Sequence, residues 1–366
     1  MTTPKTIRAT EPRELLALIP FQLGFHPTDS VVLVSLRPPR RRVGMMARAD
    51  VVDLAADGMG EQLCRNLAAH LASDCAVGVV LVVYVDDLEV GLEGGAATAV
   101  RRLADAVSEA APVDALWAVT ASGYHRLSPG LDVVESFPIG DLACSQVGSE
   151  MVYLGSAVAE NRAALGRLPV VPASSRRTAE RAAREWRARR TEPGWEEESV
   201  RLWRREQRRD AGPAAAPGRP TAWGRLSAAL EDVTVRDAVL ISLVPEADGF
   251  PDVSYGTALD DERVAWAISA IVDPGVGVPP TPEVCEPSRT LLKHVAAHSR
   301  DGSPGALTLL GVIAWWEGGG AEARIWIDRA LEVEPGYRLA LLVSQALDAG
   351  MPPGWVRANR AEEQGA

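Results

Sequence analysis

Polar side chains that suit ligand or metal chemistry follow several predicted strands in the first 125 residues. Asp50 ends one strand, Asp86 and Asp87 end another, and Ser122 follows a third. In sheets with parallel strands, ligands bind beyond the carboxyl ends of the strands, where helix N-termini also point. Carboxylate oxygens at such an edge suit a divalent cation. The sequence therefore predicts either a ligand site at this edge or, as the alternative, solvated strand ends and helix N-caps.

A glycine-rich loop lies between Asp87 and the next predicted helix. Gly91, Gly94 and Gly95 give this loop a backbone that is able to bring N–H groups close to a ligand. The loop lacks the Lys-Ser/Thr pair of a P-loop, and it does not fit the Gly-x-Gly-x-x-Gly pattern. Gly94 is therefore a candidate ligand-binding residue, and a turn that simply needs glycine is the alternative.

A second polar group occupies the turn that enters the first predicted strand: His26, Asp29 and Ser30. Their types match a catalytic triad, but three residues within five positions of one turn rarely align as nucleophile, base and orienting acid. The pattern favours hydrogen bonds from His26 and Asp29 to the turn backbone. Arg48, on the neighbouring strand, is expected to pair with Asp29 or Asp50, either as a structural bridge or as an anion contact.

Two histidines lie four positions apart on a predicted helix, His294 and His298, and therefore share one helical face. The glutamate of a His-Glu-x-x-His motif is missing between them, and no third ligand is evident in the sequence. This spacing favours a partly exposed helix face over a metal site. The sequence as a whole predicts neither a catalytic set nor a metal site.

Residues 176–210 combine twelve arginines with eight acidic residues and three tryptophans. Arginine interleaved with tryptophan is able to neutralise and stack on nucleic acid. However, Ala179, Ala182, Ala183 and Trp186 form a stripe with helical spacing. That stripe favours a charged surface helix that packs through its small and aromatic side.

The composition indicates a globular protein with two or three domains. The chain has 366 residues, 47% of them hydrophobic, and a formal net charge of −11, which argues against general affinity for nucleic acid or anionic membranes. The longest apolar run, residues 76–85, is about half the length of a membrane span, and the N-terminus lacks a secretion signal. Four cysteines without CxxC spacing indicate reduced thiols. We therefore expect a cytoplasmic protein that binds no membrane.

Alternating strand and helix patterns predict an α/β domain over residues 1–143. Its sheet is expected to be mixed or parallel, with about four to six strands and flanking helices. Residues 126–143 look irregular because they contain several prolines and glycines. Connecting charged helices are predicted at 144–210, a linker rich in Ala, Pro and Gly at 211–221, and an all-helical domain at 222–366.

Residues 304–335 fit the spacing of a tetratricopeptide-type helical hairpin. Small and apolar residues recur on the facing sides of two predicted helices, and a proline ends the unit: Leu307, Leu310, Gly311, Ala314, Ala323, Ile327, Ala330 and Pro335. No second repeat precedes it, so the hairpin is expected either to complete a helical domain or to form a peptide groove. Trp315 and Trp316 point about 100° apart on this helix, and we expect one of them to line an apolar partner surface.

Two stretches carry a resemblance to a known family. They are Leu23-Gly24-Phe25-His26-Pro27 near the N-terminus and Ala314-Trp315-Trp316-Glu317-Gly318 in the helical part. With their surroundings, these stretches resemble an uncharacterised actinobacterial family, the domain of unknown function 4192. The resemblance covers most of the chain, and it implies no assigned activity, substrate or cofactor.

The leading functional hypothesis is a cytoplasmic, non-catalytic protein-interaction or regulatory protein that binds a protein partner through its C-terminal helices. The first alternative is a nucleotide- or metal-dependent enzyme whose site lies at the carboxyl ends of the strands. The second is nucleic-acid binding through the Arg-rich helices, which the acidic net charge disfavours. The sequence does not name a cofactor, a partner or an oligomeric state.

Overall fold

The computed structural model describes residues 11–88, 92, 94–209, 219–245, 261–300 and 302–365, and of residues 261–264 and 360–365 it describes the backbone only. The chain divides into two compact units, residues 1–164 and 165–366. Positions 211–218 of the predicted linker lie outside the described residues, and from Arg219 the chain is helical.

The first unit contains a mixed six-stranded sheet. Its strands are β1 Ser30–Arg37, β2 Arg42–Asp50, β3 Gly78–Tyr84, β4 Val113–Val119, β5 Gly123–Leu127 and β6 Val133–Pro138. Their order across the sheet is β2-β1-β3-β4-β5-β6. Strands β3 and β4 are parallel, and the other neighbouring pairs are antiparallel. Of the two predicted alternatives, a mixed or a parallel sheet, the sheet is mixed, and its six strands are within the predicted number.

Helices pack on both faces of this sheet. The helices from residue 12 to residue 165 are α1 Pro12–Leu23, α2 Val51–Ala55, α3 Met59–Ser73, α4 Gly95–Ser108, α5 Gly140–Ala143, α6 Gln146–Tyr153 and α7 Arg162–Leu165. Because successive strand residues point to opposite faces, Val31 and Leu33 pack in one core with α2, α3 and α4, whereas Val32 and Val34 pack in another with α1. Every residue of β3 is buried, as expected for a strand covered on both faces.

Residues 126–143 are more regular than the sequence indicates. They contain the end of β5, all of β6 and the short helix α5. The β5 and β6 strands pair antiparallel, and the rings of Tyr124 and Phe137 stack across them with centroids 5.0 Å apart. Pro129 and Gly130 therefore belong to the turn of a hairpin, and they do not break the sheet.

The described residues of the second unit form helices and no strands, which confirms the prediction of a helical C-terminal region. Its helices are α8 Ala173–Ala188, α9 Trp195–Gln207, α10 Arg219–Ala229, α11 Val233–Ile241, α12 Asp261–Val272, α13 Pro282–His298, α14 Pro304–Trp316, α15 Gly320–Val333, α16 Arg338–Asp348 and α17 Gly354–Gly365. Six tryptophans are among its largest fully buried side chains: Trp186, Trp195, Trp203, Trp223, Trp316 and Trp326. The stripe of Ala179, Ala182 and Trp186 is buried, which places the packed side of α8 where the spacing predicts it.

Helices α14 and α15 form the hairpin that the small residues indicate. A Cβ atom added at Gly311 would lie 2.6 Å from Cδ1 of Ile327, so glycine is what permits this close approach. Ala323 and Ala330 are fully buried along the same seam. Within the described residues, no helix has the length and apolar character needed to cross a bilayer.

Candidate functional site

The sheet topology brings the predicted strand-end residues to one edge. Strands β2 and β3 both run antiparallel to β1, and β4 runs parallel to β3, so Asp50, Asp86 and Ser122 all lie at the same end of the sheet. Ser30 at the start of β1 pairs with Asp50 on one side and with Tyr84 on the other. Strand β1 therefore stands between Asp50 and β3, which separates the two aspartates by two strand spacings, roughly 10 Å.

Asp50 is held in an ion pair instead of being free for a ligand. Its carboxylate lies 2.6 Å from the Arg48 guanidinium and 3.8 Å from that of Arg162. Arg48 also donates a hydrogen bond of 3.1 Å to the Thr28 carbonyl and lies over the Phe25 ring at 5.9 Å. Of the two partners expected for Arg48, the structure therefore selects Asp50, and the pair ties the edge strand to the preceding turn.

The turn before β1 is held by backbone groups. The His26 N–H donates to the Ala159 carbonyl at 3.1 Å, and the Asp29 carbonyl accepts from the Val51 N–H at 2.9 Å. Asp29 has a φ of +42°, a left-handed conformation that aspartate tolerates better than most residues. Ser30 is fully buried, whereas His26 and Asp29 are exposed. The three residues do not converge as a triad.

Asp86 and Asp87 are exposed after β3, and the loop that follows is only partly described. Gly91 lies outside the described residues. Gly94 precedes α4 with a φ of +72°, a conformation that favours glycine, and its carbonyl accepts from the Thr98 N–H and hydroxyl at 3.1 and 3.0 Å. These contacts give Gly94 a role in starting the helix.

Ser122 belongs to a small hydroxyl–imidazole network that the sequence reasoning missed. The Thr120 hydroxyl lies 3.1 Å from that of Ser122 and 3.5 Å from Nε2 of His125, and Nδ1 of His125 lies 2.9 Å from the Ser136 hydroxyl. Burial lowers the pKa of His125. Thr120 also accepts from the Gly123 N–H at 3.1 Å, so the network closes the turn between β4 and β5. Along β5, Tyr124, His125 and Leu127 are buried and Arg126 is exposed, so no alternating pattern marks His125 in the sequence.

A cavity lined by several charged groups lies in the helical unit, between α9, α10 and α13. Its volume is about 610 Å³, within the range of sites that hold small molecules. The lining residues that carry charge or an aromatic ring are Arg204, Glu206, Arg208, Arg209, Arg219, Trp223, Glu283, Glu286 and His294. The α9 helix contributes one wall and the first turns of α13 contribute another.

A stacked aromatic pair forms the inner wall of this cavity. The rings of Trp223 and His294 lie 4.5 Å apart and are tilted by only 5°. His298 packs against the same tryptophan at 4.4 Å, and its Nδ1 lies 2.7 Å from the His294 carbonyl. Because a carbonyl only accepts, Nδ1 of His298 carries the proton and Nε2 accepts from the Ser175 hydroxyl at 2.9 Å. His298 is therefore a buried structural residue, not part of an exposed helix face.

The lining of the cavity contains four arginines and three glutamates. Glu206 is buried and pairs with Arg205 at 3.3 Å and with the lining residue Arg209 at 3.5 Å. Glu286 pairs with Arg289 at 3.1 Å, outside the lining. Two of the three lining glutamates are thus partly neutralised, which leaves a small excess of positive charge.

His294 is the titratable group of the inner wall. Burial lowers the pKa of His294 below its usual value, and the charges of His298 and Arg219 lower this pKa further. Its ring is therefore neutral at neutral pH, with one N–H donor and one acceptor. The Nδ1 atom is buried and has no hydrogen-bond partner among the described residues.

Trp315 and Trp316, the predicted partner surface, both lie in the core of the helical unit. Trp315 is 6% exposed and Trp316 is fully buried. Their indole N–H groups donate to the Met351 and Val278 carbonyls, each at 2.9 Å. The expectation that one of them lines an exposed surface is corrected, because each ring is enclosed by other helices of this unit.

The Arg-rich helices neutralise much of their charge internally. Arg187 pairs with Glu231 at 2.5 Å, and Arg190 pairs with Asp232 at 2.7 Å. Arg189 pairs with Glu198 at 2.9 Å and lies over the Trp186 ring at 4.7 Å. These contacts join α8 to α9 and to the start of α11.

A family model described as "Domain of unknown function (DUF4192)" matches residues 12–354. No curated protein and no solved structure matches the chain. Among the described residues, no three His, Cys, Asp or Glu side chains are grouped as metal ligands.

Proposed function

Because the chain belongs to the DUF4192 family, whose description names no activity, we propose a function from the geometry of the cavity between α9, α10 and α13. The protein is a cytoplasmic, non-catalytic regulatory protein that binds a small anionic molecule in this cavity. One observation carries the proposal: a space of about 610 Å³ is bounded by four arginines and by the stacked Trp223 and His294 rings.

Arginine is suited to this role because its planar guanidinium donates paired hydrogen bonds that match carboxylate and phosphate groups. Arg219 is 8% exposed, and Arg204 is half-buried, so both lie where bulk water screens charge weakly. A binding role needs only such anchors and an apolar wall. A catalytic role would also need a nucleophile held by a base, or a positioned acid and base.

The test is isothermal titration calorimetry of the full chain with pyrophosphate. It compares the affinity of two variants, each with alanine in place of one arginine near the same helix. Arg208 and Arg201 are both exposed, but only Arg208 lines the cavity. Because solvent screening reduces the contribution of an exposed charged hydrogen bond to about 1 kcal/mol, Arg208→Ala is expected to weaken binding roughly threefold to tenfold. Arg201→Ala is expected to leave it unchanged. Absence of pyrophosphate binding, or equal losses in both variants, would contradict the proposal.

A protein-partner surface is a second candidate function, favoured by the exposed apolar side of α16. Leu341 and Leu342 are 41% and 54% exposed, and Val333 at the end of α15 is 41% exposed. This helix follows the α14–α15 hairpin, so it occupies the position at which a tetratricopeptide-type array would add its next helix. Affinity capture with the full chain and with the Leu341→Asp, Leu342→Asp double variant tests this candidate. Identical sets of captured proteins would reject it.

A further inference from the structure

We infer that the ligand of the cavity between α9, α10 and α13 is of the nucleotide class, a planar heteroaromatic ring that carries a phosphate group. The inference rests on the proposed function, in which the arginines bind an anionic group. It concerns the planar ring that the inner wall of the cavity would bind beside that group. That wall is the stacked pair of Trp223 and His294.

His294 forms a flat platform that is already in place. One face of its ring is covered by Trp223 at 4.5 Å, and both residues line the cavity, so the inferred ligand ring would stack on the opposite face of the half-buried imidazole. Trp223 is itself 2% exposed and is held from another side by His298. His298 is fixed by hydrogen bonds at both ring nitrogens. A rigid aromatic face of this kind favours stacking of a second planar ring.

The neutral His294 ring also favours a partner that has both donor and acceptor atoms. Its Nδ1 is buried and closed to a ligand in the cavity, so Nε2 is the ring nitrogen left for a polar contact. The edge of a nucleobase carries donors and acceptors side by side, so it suits Nε2 in either tautomer of the neutral imidazole. An apolar ring would offer Nε2 no hydrogen bond.

The arginines account for the phosphate group of the inferred ligand. Arg204, Arg208 and Arg219 lie on α9, just after it, and at the start of α10, so guanidinium groups approach the cavity from two chain segments. Phosphate oxygens accept paired hydrogen bonds from such groups. A volume of about 610 Å³ exceeds what an inorganic anion needs and lies within the range for a molecule with both a ring and an acidic group.

The test compares ligands that differ only in the ring. Titration calorimetry on the full chain uses the four nucleoside 5′-monophosphates and, as the matched ligand without a base, ribose 5-phosphate. At least one nucleotide is expected to bind about tenfold or more tightly than ribose 5-phosphate, the contribution typical of one stacked base. His294→Ala is expected to remove most of this preference and to leave ribose 5-phosphate binding nearly unchanged. His70→Ala, a histidine substitution in the first unit, serves as the control and is expected to change neither.

The outcomes separate the two proposals. If all four nucleotides bind no more tightly than ribose 5-phosphate, the nucleotide inference is overturned, while binding of ribose 5-phosphate or pyrophosphate still supports an anion site. If neither the nucleotides, ribose 5-phosphate nor pyrophosphate binds, both proposals fail. A nucleotide preference that His294→Ala leaves intact, in a variant whose circular dichroism matches the natural chain, also overturns the inference. The comparison of ligands on the natural chain decides the question even if His294→Ala does not fold.

Discussion

Replacing Trp316 by alanine tests whether this residue is part of the core or of a partner surface. The side chain is fully buried, and its Nε1–H donates to the Val278 carbonyl at 2.9 Å. Its own carbonyl accepts from the indole of Trp355 at 2.8 Å. Truncation of a buried tryptophan costs about 3–5 kcal/mol through the cavity that it leaves. The Val278 carbonyl would lose its donor at the same time, which adds to the cost where water does not replace it.

This loss is large beside the stability of an ordinary domain, about 5–15 kcal/mol. For a unit of this size, 1 kcal/mol shifts Tm by roughly 2–4 °C, so Trp316→Ala is expected to lower Tm by roughly 6–20 °C. Urea denaturation followed by circular dichroism measures the free energy of unfolding directly. Trp316→Phe keeps most of the ring and removes only the donor, so its loss is expected to be smaller, about 1–3 kcal/mol.

Leu342→Ala provides the matched control for this measurement. Leu342 is an apolar residue that is 54% exposed on α16 in the same unit, and substitutions at such positions usually change stability by less than about 0.5 kcal/mol. If Trp316→Ala changes the free energy of unfolding as little as Leu342→Ala does, the assignment of Trp316 to the core is refuted.

Three further predictions concern the hairpin, the histidines and the sheet edge. Gly311→Val is expected to destabilise the helical unit by about 1–3 kcal/mol, because its Cβ would lie 2.6 Å from Ile327; unchanged denaturation would contradict this. Burial lowers the pKa of His294 and of His298, so the unfolded chain binds more protons, and stability should fall as the pH drops below about 6.5. Urea titrations across that range measure this fall, which His298→Gln should reduce. Asp86→Asn is expected to leave thermal shifts with nucleotides and Mg²⁺ unchanged; a shift that this variant abolishes would favour the enzyme alternative.

The part of the fold that was predictable from the sequence is the part with local hydrophobic patterns. Strand β3 is a continuous run of valine, leucine and tyrosine, and burial on both faces makes such a run recognisable. The β6 strand has no comparable signal, because Val133 and Val134 are adjacent and about half-exposed. Its position depends on pairing with β5 and on the stack of Phe137 with Tyr124, and both contacts are non-local.

The cavity and the burial of the two adjacent tryptophans were not predictable for related reasons. Every residue of α14 from Gly305 to Trp316 is buried, so this helix has no polar face from which its orientation is readable. The cavity combines Arg204, Trp223 and His294, which lie on three helices far apart in the chain. Each residue alone fits a charged surface or a helix face, and only the packing of α9, α10 and α13 brings them together.

His294 connects the stability of the helical unit to its proposed ligand. Its Nδ1 is buried without a hydrogen-bond partner among the described residues, a local violation of the kind that proteins keep at functional sites. His294→Phe removes this nitrogen and preserves a ring that stacks on Trp223. The variant is therefore expected to raise the free energy of unfolding without ligand by about 1 kcal/mol, measured by urea denaturation. It should also weaken nucleotide binding, because the polar contact is lost while the stacked face remains. If the variant is less stable and binds nucleotides equally well, then the imidazole serves the core alone and has no part in recognising a ligand.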